Sequence, residues 1–103
     1  MKVYVTIINS GETTNIFADD STEQITLNNE VIKFDAIDFV SRISLITFNW
    51  PTRNINNSLI DGERYQIKIV ANNNQERKII GKNSFPRNYG DFLKLIREVK
   101  YGN

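Results

Sequence analysis

The chain has 103 residues, 40% of them hydrophobic and 24% charged, with a formal net charge of +1 and neither cysteine nor histidine. That is one domain of ordinary globular composition, long enough to bury a single core without staples. The missing residue types exclude a disulfide, a thiolate nucleophile, zinc held by Cys or His, and an imidazole base near neutral pH.

The segment MKVYVTIINSG is apolar only from Val3 to Ile8. That is too short for a signal-peptide core or a bilayer span, so a cytoplasmic protein with no membrane partner is expected. Rich in Val, Tyr, Thr and Ile, residues 2–8 suit a first strand. Ser10-Gly11-Glu12 turns the chain. Thr14 to Phe17 returns as a second strand, Ala18 to Ser21 breaks it, and Gln24 to Leu27 reads as a third. Asn28-Asn29 tolerates left-handed backbone and makes a tight turn. Val31 to Phe34 follows, as a short fourth strand or as the lead-in to a helix.

Asp35 has the character of an N-cap, since its carboxylate can accept from the first-turn N–H groups. Phe34 and Phe39 flank it at the spacing of a hydrophobic staple, and Asp38 suits the positive end of a helix. Ile37, Val40, Ile43 and Phe48, with Ile46 or Thr47 between, form the apolar stripe. Pro51 pushes Trp50 out of helical geometry and ends the helix. Thr52 to Ser58 is polar and reads as a loop, and Asp61-Gly62 as a turn. Arg64 to Val70 alternates, with Tyr65, Ile67 and Ile69 inward and Arg64, Gln66 and Lys68 outward. Asn72-Asn73-Asn74 turns the chain and Glu76 to Ile80 returns, completing a hairpin.

Gly81 then relieves a bend, and Phe85-Pro86 redirects the chain towards a last helix capped by Asn88, with Asp91 at its third position. Tyr89, Phe92, Leu93, Ile96 and Val99 form its apolar face, leaving Lys94, Arg97 and Lys100 exposed. Gly102 ends it. The expectation is a single α+β domain over residues 1–103. Its mostly antiparallel sheet has about five to six strands, with two helices packed on one face.

Trp50-Pro51, Asp61-Gly62-x-x-Tyr65-x-Ile67-x-Ile69 and Gly81-x-Asn83-x-Phe85-Pro86-x-Asn88-Tyr89-x-x-Phe92 form a motif spanning roughly residues 50 to 97. It resembles a small domain of uncharacterised proteins from low-GC Gram-positive bacteria and their phages. The resemblance implies no activity and no active site. Abundant Ile, Asn and Lys beside only three alanines, residues 18, 36 and 71, point to the same origin through AT-rich codons.

Few residues invite a chemical role. Asp19-Asp20 is the one tight acidic cluster and lacks EF-hand spacing, so neither metal nor cofactor is expected. Gly81-Lys82-Asn83-Ser84 lacks the second glycine and the Gly-Lys-Ser/Thr ending of a phosphate loop. Asp61 and Glu63 could share a strand face, but a catalytic carboxylate pair needs a cleft that small domains seldom supply. Trp50 reads as a core plug with its N–H paired near the surface.

Charge is the remaining signal. Residues 1–50 hold seven acids against three bases, net −4, and residues 51–103 hold ten bases against five acids, net +5. Such a split means two oppositely charged faces or internal pairing of the halves. Arg64, Lys68, Lys82, Arg87, Lys94 and Arg97 are the candidate partner-binding residues, and Asp19, Asp20 and Glu23 the alternative acidic face. Tyr65 falls on the strand face opposite Arg64 and Lys68, which weakens a nucleic-acid reading of that strand. The expected function is non-enzymatic protein–protein contact by a phage, prophage or mobile-element protein, of the kind that inhibits a host defence protein, as anti-CRISPR proteins do. The alternatives are a nucleic-acid-binding accessory protein using the basic C-terminal half, and a small carboxylate-dependent enzyme.

Overall fold

A computed structural model describes residues 1–56 and 62–102. In chain order it contains β1 (Lys2–Asn9), β2 (Glu12–Asp19), β3 (Gln24–Leu27), β4 (Glu30–Val31), α1 (Ala36–Ile46), β5 (Arg53–Ile55), β6 (Arg64–Val70), β7 (Glu76–Lys82) and α2 (Tyr89–Tyr101). The strands form one sheet in the order β4-β3-β2-β1-β6-β7-β5. Every pairing is antiparallel except β5 with β7. The class is α+β, with both helices contributing to one core against the sheet.

Seven strands stand where five or six were expected. The additional one is β5, within the stretch read as a loop over Thr52 to Ser58; residues 57 and 58, like Asp61 of the expected turn, lie outside the described residues. Three polar-flanked residues carry no alternating pattern of their own. They become a strand because β7 offers a free edge, where Asn56 N–H donates to Lys82 O at 2.9 Å and Ile80 N–H to Thr52 O at 3.0 Å. Boundaries also differ: β2 begins at Glu12 rather than Thr14, β7 continues past Ile80 to Lys82, and α1 ends at Ile46, ahead of Trp50-Pro51. β2 runs through Ala18 and Asp19, since Val3 and Lys2 of β1 continue to pair with them. β4 stops at Val31, short of the Phe34 expected.

Period two sorts the long strands into faces. Val3, Val5 and Ile7 of β1, Ile16 and Ala18 of β2, Tyr65, Ile67 and Ile69 of β6, and Ile79 of β7 are all buried. The register sets them side by side: Val5 opposes Ile16 and Ile67, and Ile67 opposes Ile79. α1 adds Ala36, Phe39, Val40 and Ile43, and α2 adds Tyr89, Phe92, Leu95, Ile96 and Val99.

α1 starts as expected. Asp35 accepts from Asp38 N–H at 3.1 Å, and Phe34 meets Phe39 edge-on, with ring centroids 6.4 Å apart. The inward stripe differs from the expected one. Ile37 and Phe48 are exposed, and buried Thr47 takes Phe48's place by donating its hydroxyl to Ile43 O at 2.8 Å. On α2 the face is rotated slightly: Leu95 is fully buried and Leu93 only half-buried. Lys100 is half-buried rather than exposed, because it reaches Glu12 on β2 at 3.1 Å. Gly102 ends α2 in left-handed backbone, φ 76°, as expected.

The corner after β7 is an aromatic cluster of Trp50, Tyr65, Phe85, Tyr89 and Phe92, with neighbouring ring centroids 4.7–6.4 Å apart. Such edge-on, tilted and offset-stacked pairs are the favoured geometries of aromatic contact. Trp50 is the buried plug expected, and its indole N–H donates to Asn88 Oδ1. Asn88 therefore does not cap α2. Its amide instead ties Trp50 to the end of α1, with Nδ2 donating to Ile46 O at 2.7 Å. Gly81 differs too. It lies within β7 opposite Tyr65, and a Cβ there would sit 1.9 Å from Tyr65 Cζ, so its role is to make room for that ring.

A basic open face as the candidate functional site

The other face of the sheet is not covered by helices. Cross-strand partners share a face, so the register reads it out as ranks running across the strands. One rank is Phe17, Tyr4, Lys68 and Lys78; the next is Asn15, Thr6, Gln66, Ile80 and Arg53; the third is Thr13, Ile8, Arg64, Lys82 and Ile55. Five cations lie in these three ranks with, among the described residues, no acid, while the rank before the first, Asp19, Lys2, Val70 and Glu76, adds one cation and two acids to the same face.

Two of the pairings set like charges opposite each other, Lys68 against Lys78 and Arg64 against Lys82. Directly opposed like charges destabilise an antiparallel pair. Among the described residues only Lys68 of the five has an ion-pair partner, Glu76 at a loose 3.9 Å. Lys68 Nζ also lies 4.5 Å from the centre of the Tyr4 ring, within the range of a cation–π contact. Tyr4 is 38% exposed and packs on half-buried Phe17, ring centroids 4.9 Å apart.

The face is grooved where Arg64 and Lys82 meet the β1–β2 turn. A cleft of about 490 Å³ is lined there by Ile8, Ser10, Gly11, Arg64 and Lys82. A shallower one of about 210 Å³ adjoins it over Thr6, Gln66 and Ile80. Both share Ile8 and Arg64.

The six basic candidates thus fall into two groups. Arg64, Lys68 and Lys82 share the open face, joined by Lys78 and Arg53. Arg87, Lys94 and Arg97 are exposed on the helix side. Arg87 lines a cleft of about 490 Å³ between the end of α1 and the start of α2, and Arg97 one of about 270 Å³ beside Glu12 and Glu63. The acidic alternative is partly consumed by structure. Asp19 is buried and accepts from Ser21 N–H at 3.0 Å and from its hydroxyl at 2.7 Å, and the hydroxyl bond chiefly holds its carboxyl below the usual range. Asp20 pairs with the Met1 amino group at 2.8 Å. Glu23 is exposed in the β2–β3 turn, at φ 56°.

Sequence reasoning missed the rings of the open face. Tyr65 is indeed turned away from Arg64 and Lys68, but Tyr4 and Phe17 bring aromatic surface to the cations from other strands. The alternation Val3-Tyr4-Val5 marks Tyr4 as outward; that β1 lies beside β6 is a long-range pairing with no local signal. Arg77 was missed as well. Its guanidinium donates to Thr47 O at 2.7 Å and Trp50 O at 2.9 Å, closing the end of α1.

On the covered side, Tyr89 donates its hydroxyl to Glu63, and Tyr65 donates to Ser84 O at 3.0 Å. Burial first, then the Glu63 charge, pushes the Tyr65 hydroxyl up to about 12. Tyr89 is raised as well, by burial and then by its bond to Glu63. Both hydroxyls are therefore protonated near neutral pH and act as donors. Among the described residues no three Asp or Glu side chains gather in a metal-holding group, and no helix is long and apolar enough to cross a membrane.

No family model, curated protein or solved structure matches the chain.

Proposed function

We propose that this is a non-enzymatic binding protein whose open sheet face takes up nucleic acid. The observation that carries the reading is the pair of like-charge ladders, Lys68 with Lys78 and Arg64 with Lys82. They cost the folded protein stability, and a polyanion laid across them turns that repulsion into attraction. Phosphates supply such a ligand, and the release of their counterions drives binding. The Tyr4 and Phe17 rings beside the ladders suit bases, and interleaved cations and aromatics are the usual footprint of such a surface. This is the second of the three readings the sequence allowed. Contact with an acidic protein, as an inhibitor of host defence encoded by a phage or mobile element would make, draws on the same cations but gives the rings no particular task.

Fluorescence anisotropy with a labelled oligonucleotide at two salt concentrations tests the proposal. Affinity should fall steeply with salt. Lys78→Glu with Lys82→Glu should weaken binding and flatten the salt slope, whereas Lys94→Glu with Arg97→Glu on the helix side should leave both close to wild type. Equal loss from both sets, or tighter binding of polyglutamate than of any oligonucleotide, would reject it.

A further inference from the structure

Building on the reading of the open face as a nucleic-acid surface, we infer that its ligand is a single strand, held with its phosphates over β6 and β7 and its bases over β1 and β2. The face is divided lengthwise. In the first rank Phe17 and Tyr4 lie on β2 and β1, and Lys68 and Lys78 on β6 and β7. Two ranks on, Ile8 on β1 stands beside Arg64 and Lys82. An apolar column, interrupted by Thr6 and Asn15, thus runs beside a cationic column, interrupted by Gln66 and Ile80. The two ladders are four residues apart, about 13 Å at the usual rise of a strand.

A single strand has the same division, charged backbone on one edge and flat apolar bases on the other. Stacking on aromatic rings is tolerant of sequence, because every base has a π-face. Duplex DNA fits this surface poorly, for two reasons. Its major groove admits a helix or a two-stranded ribbon, whereas β1, β6 and β7 are all interior strands of a seven-stranded sheet. A duplex lying on the face could meet the cations with its phosphates, but its base faces stay stacked and leave Tyr4 and Phe17 without a partner. Lys68, over the Tyr4 ring, sits on the border between the columns, where it can turn to a phosphate as a base replaces it on the ring.

The test uses the wild-type protein with labelled twelve-nucleotide oligothymidylate, oligouridylate and a twelve-base-pair duplex, in low and in near-physiological salt. Both single strands should bind at least tenfold more tightly than the duplex, and their ratio distinguishes DNA from RNA as the preferred source. Tyr4→Leu keeps an apolar side chain on the strand but removes the π-face, and should weaken single-strand binding by at least about fivefold without changing the salt slope. Tyr4→Phe should bind as wild type does. Melting temperatures establish that each variant is folded, and the wild-type comparison stands even if Tyr4→Leu is not. Duplex binding equal to or tighter than single-strand binding overturns the inference while leaving the nucleic-acid reading intact. Wild-type affinity in folded Tyr4→Leu overturns the placement of bases on β1. Absence of binding to all three probes in low salt overturns both this inference and the reading beneath it.

Discussion

Cations that reach into the helix-covered side of the sheet are answered there, while on the open side two pairs of cations are set against each other. Arg42 on α1 pairs with Glu98 on α2 and with Asp38. Lys100 pairs with Glu12, and Arg77 spends its guanidinium on the last carbonyls of α1. On the open face Lys68 opposes Lys78 and Arg64 opposes Lys82 across the same hairpin. The cause of the difference is solvent. A cation turned into the core side loses hydration and is retained only with a partner, whereas water screens repulsion between exposed charges. The covered face is consequently where stability resides, and the open face is where charge can serve a ligand.

The comparison breaks most visibly at Phe92. Fully buried among Trp50, Tyr65 and Tyr89, it should cost about 3–5 kcal/mol when replaced by alanine, much of the roughly 5–15 kcal/mol that holds a domain together. Urea unfolding measures this; a loss under 1 kcal/mol would mean that the aromatic corner is not the centre of the core. Gly81→Ala probes the same face from the opposite direction. The added methyl group would displace the Tyr65 ring, and a loss of about 1–3 kcal/mol is expected from overpacking. An unchanged midpoint would show that the ring can move aside without cost.

A graded effect is expected with alkali. Tyr65 in the folded protein titrates at about 12 and Tyr89 is raised also, while in the unfolded chain both titrate near 10. The unfolded state therefore gives up its protons first, so this contribution to stability is intact below about pH 10 and is lost as pH rises through about 12. Tyrosinate absorbance alongside the melting temperature follows it. All four tyrosines ionising together near pH 10 in folded protein would contradict the burial of these two.

The smallest effect on folding belongs to the open face. Lys82→Glu replaces a repulsive cross-strand pair with an attractive one opposite Arg64, so stability should stay within about 0.5 kcal/mol of wild type or rise slightly. Its effect on oligonucleotide binding should be a clear loss. A variant that unfolds would contradict the division of labour between the two faces.

Local patterns carried much of the architecture. Alternation in residues 64–70, the turn at Asn72-Asn73-Asn74, the Asp35 cap with its Phe34–Phe39 staple, and Gly102 at the end of α2 each act through neighbours a few residues away, and each is legible in the chain. So was the outward direction of Arg64, Gln66 and Lys68. Tertiary structure alone decided which strands lie side by side, because strand pairing depends on residues distant in sequence. That choice made β5 a strand, sent Asn88 and Arg77 to the end of α1, and turned Gly81 into space for the Tyr65 ring. It also assembled the candidate site. Tyr4 and Lys68 are 64 positions apart in the chain, yet they meet because β1 inserts between β2 and β6, and no periodicity within either strand specifies that neighbour.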